Sequence, residues 1–262
     1  MDERERPRLF GNRWADAVGP GGEPDRDRCD CLDRRGGSNK AEVAFHPDRQ
    51  DTSAPGWLHL LQLVDEAAAD GREVFKPLVE LSPAERRQIV TLPAGIAGLT
   101  EVRQLVLYGS NLVRIPPEIG AMTNLAEFSP YTSRRLHWLP YEITRCRKLR
   151  DSTVSTRALY GNFRYRPPFP VLRTVDDDWE RTSVDPGRWG GGAVHACSVC
   201  AGPVPDRELR RRWISLAVAT DVLPLLVNAC SEDCLDALPA PAEGYASAPH
   251  LGGPGTVSTD IR

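Results

Sequence analysis

Lysine is almost missing from this chain: three lysines stand against thirty arginines in 262 residues. Methionine is down to two, and Phe, Tyr and Trp together make up only 7%. No apolar run reaches the roughly 18 residues that a bilayer-spanning helix needs. The polar opening Met1-Asp2-Glu3-Arg4-Glu5-Arg6 does not fit a secretory signal, so the expectation is a cytoplasmic protein with no membrane partner. The chain also lacks a strong net charge. At −3 it creates no overall field that would select nucleic acid. In a reducing compartment the seven cysteines read as metal ligands or free thiols rather than disulfides. Arginine in place of lysine, with much Ala, Gly and Pro, is the composition of a GC-rich bacterial genome. The 22 glycines and 23 prolines against 40% apolar content predict that part of the chain is loop or disordered.

That part is expected first at the N-terminus. Residues 1–54 carry twelve acidic and ten basic residues and few aliphatics, too little apolar surface to offset chain entropy. Cys29-Asp30-Cys31 lies within them. Its options are half a metal site, a nucleophile beside an acid, or two exposed thiols in a tail; with no partner motif nearby, the last is expected. Trp57, Leu60, Leu61, Val64, Ala67 and Ala68 follow i, i+3, i+4, i+7 spacing and predict a helix ended by Asp70-Gly71. Glu73-Val74-Phe75-Lys76 predicts a short strand. Ser82-Pro83-Ala84-Glu85 combines an N-cap, a first-turn proline and an acid three residues on, so a second helix follows through Val90.

From residue 92 a unit recurs. Its heads are Leu92-Pro93-Ala94-Gly95-Ile96, Ile115-Pro116-Pro117-Glu118-Ile119 and Leu139-Pro140-Tyr141-Glu142-Ile143, spaced 23 and 24 residues apart. Leu99, Val102, Leu105, Leu107 and Leu112 continue the first unit; Met122, Leu125 and Phe128 continue the second. This resembles the leucine-rich repeat family, whose unit of about 20–29 residues is a short strand with an irregular or 3₁₀ return. The resemblance covers about 80 residues, 92–172. It implies a solenoid with residues 55–91 as its helical N-terminal cap, because an end unit otherwise exposes its core. The strand of the first unit should be Gln104 to Tyr108, with Leu105 and Leu107 inward and Gln104, Val106 and Tyr108 outward. The family's asparagine position falls at Ser110, which can also bond locally. The second unit has Pro130 where the first has Leu107, which predicts a short, bulged or edge strand. The third has Cys146 at a leucine position, most simply a buried small hydrophobe.

The outward positions and return loops of these units hold Tyr108, Tyr131, Arg134, Arg135, His137, Trp138, Tyr160 and Arg164, alongside Arg157, Phe163, Tyr165 and Arg166. Residues 92–172 carry eleven Lys and Arg against five Asp and Glu. Aromatics and arginine are enriched at interface hot spots, so one reading is a surface for an acidic or phosphorylated protein partner. The other is that the rings fill gaps in degenerate repeats while the arginines solvate the rim.

Residues 173–193 run from Asp176-Asp177-Asp178 to Gly190-Gly191-Gly192 and predict a linker. Cys197-Ser198-Val199-Cys200 and Cys230-Ser231-Glu232-Asp233-Cys234 then place four thiols in two close pairs, the pattern of a tetrahedral zinc site. Between them, Trp213 to Val218 alternates as a strand, Thr220-Asp221 predicts a turn, and Val222 to Val227 a second strand, at an edge because of Pro224. Ser231 can cap a short helix carrying Cys234. Knuckle, hairpin and helix in this order resemble the treble-clef zinc fingers, the FCS-type members in particular, over about 42 residues. The ligands would be Cys197, Cys200, Cys230 and Cys234, with His195 as an alternative; four protein ligands make Zn²⁺ structural rather than catalytic. Arg207, Arg210, Arg211 and Arg212 suggest nucleic acid, but residues 197–238 hold four arginines against six acids. From residue 239 the chain is expected to be a disordered tail.

The expected architecture is therefore α/β: tail 1–54, helical cap 55–91, leucine-rich repeats 92–172, linker 173–193, zinc module 194–238 and tail 239–262. No Ser/His/Asp set, phosphate loop or carboxylate pair emerges, so the expected function is non-enzymatic protein binding, with nucleic-acid binding through the zinc module and basic repeats as the alternative.

Overall fold

The computed structural model describes residues 32–33, 42–46, 48–161, 166–172, 196–204 and 209–253. Cys29, Cys31, Arg164, His195, Arg207 and the expected linker 173–193 lie outside them. The described chain is a mixed α/β fold with small parallel and mixed sheets and few helices.

Strands β1 (Leu32–Asp33) and β2 (Glu42–Val43) form an antiparallel pair. Helix α1 (Pro55–Asp70) follows, with proline in its first turn and Trp57, Leu60, Leu63, Val64 and Ala67 on its buried face. After β3 (Val74–Phe75) come two short helices, α2 (Pro77–Glu80) and α3 (Pro83–Arg87). The α3 start is a full capping box: Glu85 N–H donates to Ser82 Oγ, and Ser82 N–H to the Glu85 carboxylate.

The repeating units then build a parallel sheet. Strands β4 (Gln104–Val106), β5 (Glu127–Ser129) and β7 (Asp151–Ser152) join β3 in the order β3-β4-β5-β7. The register aligns Phe75, Leu105, Phe128 and Ser152 in one inward row, and Gln104, Glu127 and Asp151 in the outward row beside it. Each return begins with the proline of a head as N-cap and makes a 3₁₀ turn: Ala94–Gly98, Pro117–Ala121 and Tyr141–Arg145. Proline suits that place, since its fixed φ is pre-set for the turn and its missing N–H would have no partner there. Ile96, Ile119 and Ile143 are fully buried beneath these turns. The second and third turns approach so closely that a Cβ on Gly120 would lie 2.7 Å from the Glu142 carbonyl oxygen, so no larger residue fits without a shift.

Serines satisfy the turns that follow the strands. Ser110 Oγ and Ser133 Oγ are 2.6 Å apart, Ser133 Oγ donates to the Leu107 carbonyl, and Ser155 Oγ accepts the Thr132 N–H. Pro130 does not put β5 at an edge. The strand stops at Ser129, one residue before the proline, and pairs on both sides.

β6 (Leu139–Pro140) leaves the parallel sheet and pairs with β9 (Asp221–Ala229), which pairs antiparallel with β8 (Arg210–Val218). β9 is central despite Pro224. Ser215, opposite Pro224, turns its carbonyl to Ala242 N–H instead of to β9, so this position requires no N–H from the proline. Ile214, Leu216, Val218, Leu223, Leu225 and Val227 join the same core as α1 and the parallel sheet. The opposite face carries Trp213 and Leu226 into a second cluster with Phe45, Trp138, Tyr160, Phe169 and Leu172. The hairpin is thus buried on both faces.

Two segments expected as tails are packed. In 42–54, Phe45 stacks on Trp213, His46 is buried, and Gln50 Oε1 accepts Val90 N–H. In 239–253, Trp213 and His250 exchange backbone bonds, Leu251 O accepts Leu172 N–H, and Gly253 N–H reaches Phe169 O. These stretches are poor in apolar residues but satisfy backbone groups the sheets leave open. Residues 254–262 lie outside the described part.

Candidate metal centre

The knuckle at 197–202 is a tight turn. Cys197 N–H donates to Gly202 O, Ala201 N–H to Cys197 O, and Ala201 takes a left-handed φ of 60°. Ser198 fastens the turn to β9, donating its N–H to Asn228 O at 2.7 Å and accepting Asn228 N–H on its Oγ at 2.9 Å. Because β9 runs directly into Cys230, that bond fixes one thiol pair against the other. Ser231 caps the helix Glu232–Asp236 by accepting Cys234 N–H, which aims the fourth thiol inward.

The four sulfurs of Cys197, Cys200, Cys230 and Cys234 all lie within 4.8 Å of one another. Cys200 to Cys230 is 3.6 Å and Cys230 to Cys234 is 3.5 Å. Four sulfurs at about 2.3 Å from a tetrahedral ion would sit about 3.8 Å apart, so the donor set fits a thiophilic metal such as zinc. The local backbone is arranged for thiolates: Val199 N–H points at Cys197 Sγ and Gly202 N–H at Cys200 Sγ, both at 3.4 Å. Burial raises the Cys197 pKa, but N–H donors from Cys200, Val199 and Cys230 outweigh it and bring the thiol down to about 7. Cys230, crowded by Cys234 and Cys200, is pushed up to about 12. One site cannot carry several sulfur anions without a cation to balance them.

The residues expected at a partner surface separate into two groups. Tyr108 and Tyr131 are 47% and 46% exposed, with ring centroids 5.9 Å apart, and Arg134 is exposed on the following turn. At that turn Thr132 holds φ 62°, where the preceding unit has Gly109 at φ 69°; a β-branched residue is strained there. His137, Trp138 and Tyr160 are buried at 3%, 7% and 1% exposure, and are core rather than surface. Trp138 and Tyr160 pack edge-on against Trp213. Arg135 is half-buried, donating to Asp48 at 2.7 Å and Asn111 at 3.1 Å. The arginines of β8 do not form one open cationic face: Arg210 pairs with Glu232 at 2.9 Å and Arg211 is buried. Cys146 is buried as expected, its thiol bonded to Ile119 O and pushed up to about 11 by burial. That makes it a poor nucleophile.

Sequence reasoning missed the buried pair His46 and His137, whose Nε2 atoms are 3.0 Å apart. His137 Nδ1 donates to Ala158 O, so its Nε2 accepts and His46 Nε2 donates. Desolvation holds His46 below the usual range and His137 at about 3; Arg114 and Arg135 add to the shift at His46, while Asp48 opposes it. Both rings are therefore neutral in the folded protein. Above pH ~6.5 they cost nothing; below it the unfolded chain takes up protons that the folded chain refuses, for His137 down to about pH 3. Stability is expected to fall by up to about 1.4 kcal/mol per pH unit over that window on account of His137, and His46 adds to the fall in the same direction. Melting curves from pH 7.5 to 4.5 check this, and an equally steep fall in His137→Gln would refute the assignment.

Among the described residues no helix is long and apolar enough to cross a membrane. No protein-family model and no curated protein matches the sequence.

Proposed function

We propose that the chain is a non-enzymatic, protein-binding adaptor: a short leucine-rich-repeat solenoid closed at its C-terminal end by a treble-clef-like zinc module. The period of 23 and 24 residues between paired strands, the 3₁₀ returns and the buried Leu-Pro heads support the solenoid reading. With four thiols and no open coordination position, zinc would be structural. The observation that carries the binding reading is the exposed Tyr108–Tyr131 pair, two large rings held side by side on the turns that follow β4 and β5, where the neighbouring side chains are packed. Rigid aromatic pairs offer large contact area at low entropic cost. Arg134 favours an acidic or phosphorylated group beside the rings.

The test uses the full chain and the double variant Tyr108→Ala/Tyr131→Ala as baits in extract of the source cells, with Leu58→Ser, an exposed site elsewhere, as control. Loss of a hot-spot ring costs about 2 kcal/mol or more. A prey protein is expected to drop at least tenfold with the double variant and stay with the control. The same proteins bound equally by all three baits would refute the surface.

A further inference from the structure

The metal centre draws part of its support from outside its own loops. Arg145, the last residue of the third 3₁₀ turn, points its Nη2 at the knuckle and donates to Cys197 O at 3.3 Å and Ser198 O at 2.9 Å. Glu142, three residues earlier on that turn, is buried beside Ser198. Ser198 therefore stands between two elements, its carbonyl accepting from Arg145 while its hydroxyl oxygen takes Asn228 N–H. The same turn is followed by β7, whose outer edge meets the β8–β9 turn. There the Thr220 hydroxyl donates to Ser152 O at 2.7 Å and accepts Ser152 N–H at 3.1 Å, and Ser152 Oγ donates to Asp221 at 2.9 Å.

We infer that Arg145 and Glu142 are positioning residues of the metal centre, and that metal binding and the closed end of the parallel sheet form one linked unit. The inference rests on the zinc reading above. Arg145 suits the role in two ways. Its guanidinium fixes the carbonyls of Cys197 and Ser198, so the thiol is held toward Cys230 and Cys234 before metal arrives. Its positive charge also faces a centre that, with four thiolates on a divalent ion, carries two negative charges. Groups that orient ligands from outside typically tune metal affinity by about 10–100-fold. Linkage is reciprocal: whatever factor Arg145 contributes to metal affinity, bound metal returns to the ordering of the third turn and β7.

Zinc affinity of the full chain is measured by competition with a chromogenic chelator for wild type, Arg145→Ala, Arg145→Lys and Glu142→Gln. Amide exchange at residues 151–153 is followed with and without zinc. Arg145→Ala is expected to weaken zinc about 10–100-fold, with Arg145→Lys regaining part of the loss through charge alone. Zinc is expected to slow exchange at 151–153 in wild type and less so in Arg145→Ala. If wild type binds one zinc and all variants match its affinity, the inference fails and the zinc site stands. If wild type binds no zinc, the zinc reading falls and takes the inference with it. Should Arg145→Ala fail to fold, Arg145→Lys and Glu142→Gln decide by the same comparison.

Discussion

Cys197→Ser combined with Cys230→Ser is expected to abolish zinc binding and unfold the C-terminal half of the molecule. The helix that carries Cys234 has five residues, and the knuckle is a single turn. Neither could hold four sulfurs within 4.8 Å of one another against the loss of chain entropy without an ion. Structural zinc contributes on the order of 10 kcal/mol in such sites, against a total stability of about 5–15 kcal/mol for a typical domain. The loss will not stop at the module, because Cys197, Val204, Ile214 and Leu225 belong to the same buried cluster as Leu105 and Phe128. Metal analysis of purified wild type should give about one zinc per chain, and a strong chelator should lower its melting temperature steeply. Metal-free wild type that melts at the same temperature would sink this expectation.

Trp213→Ala is the second large effect expected, a loss of about 3–5 kcal/mol. Trp213 is fully buried and joins parts of the chain that are far apart in sequence. Phe45 stacks on it at 5.6 Å, Phe169 lies at 5.5 Å, and Tyr160 and Trp138 meet it edge-on at 5.9 and 6.0 Å. Its indole N–H donates to Pro170 O at 3.0 Å, and its backbone pairs with His250. Alanine would leave a cavity and an unmatched carbonyl together. Trp213→Phe keeps most of the volume but not the N–H, so its cost should fall between the two. Urea melts rank the three proteins; a cost below about 1 kcal/mol for Trp213→Ala would show that the cluster does not hold these segments.

The repeating sheet was legible because leucine, isoleucine and proline at a fixed period leave few other ways to bury the same row of side chains. The thiol cluster was legible from two close Cys pairs at compatible spacing. Two other features were not. Tyr, Trp and His serve equally as contact surface and as filling, so Tyr108 and Trp138 look alike in sequence although one is half exposed and the other buried. Residues 42–50 and 239–253 look like tails because their role is backbone pairing and a few anchors such as Phe45 and Ala246, which leaves no periodic pattern. Ser152 lies in the row where the other strands carry Phe75, Leu105 and Phe128. It is the junction with Thr220 and Asp221, a contact across 68 and 69 residues that no local pattern could announce.

That junction also bears on self-assembly. Parallel sheets of repeating units invite head-to-tail growth, with the last strand of one copy meeting the first strand of the next and a filament resulting when the operation does not close. Here a threonine hydroxyl from the same chain already occupies both backbone groups of Ser152 on that last strand. The array therefore carries its own stop, and filament growth through β7 would first have to displace a hairpin whose two faces are both buried.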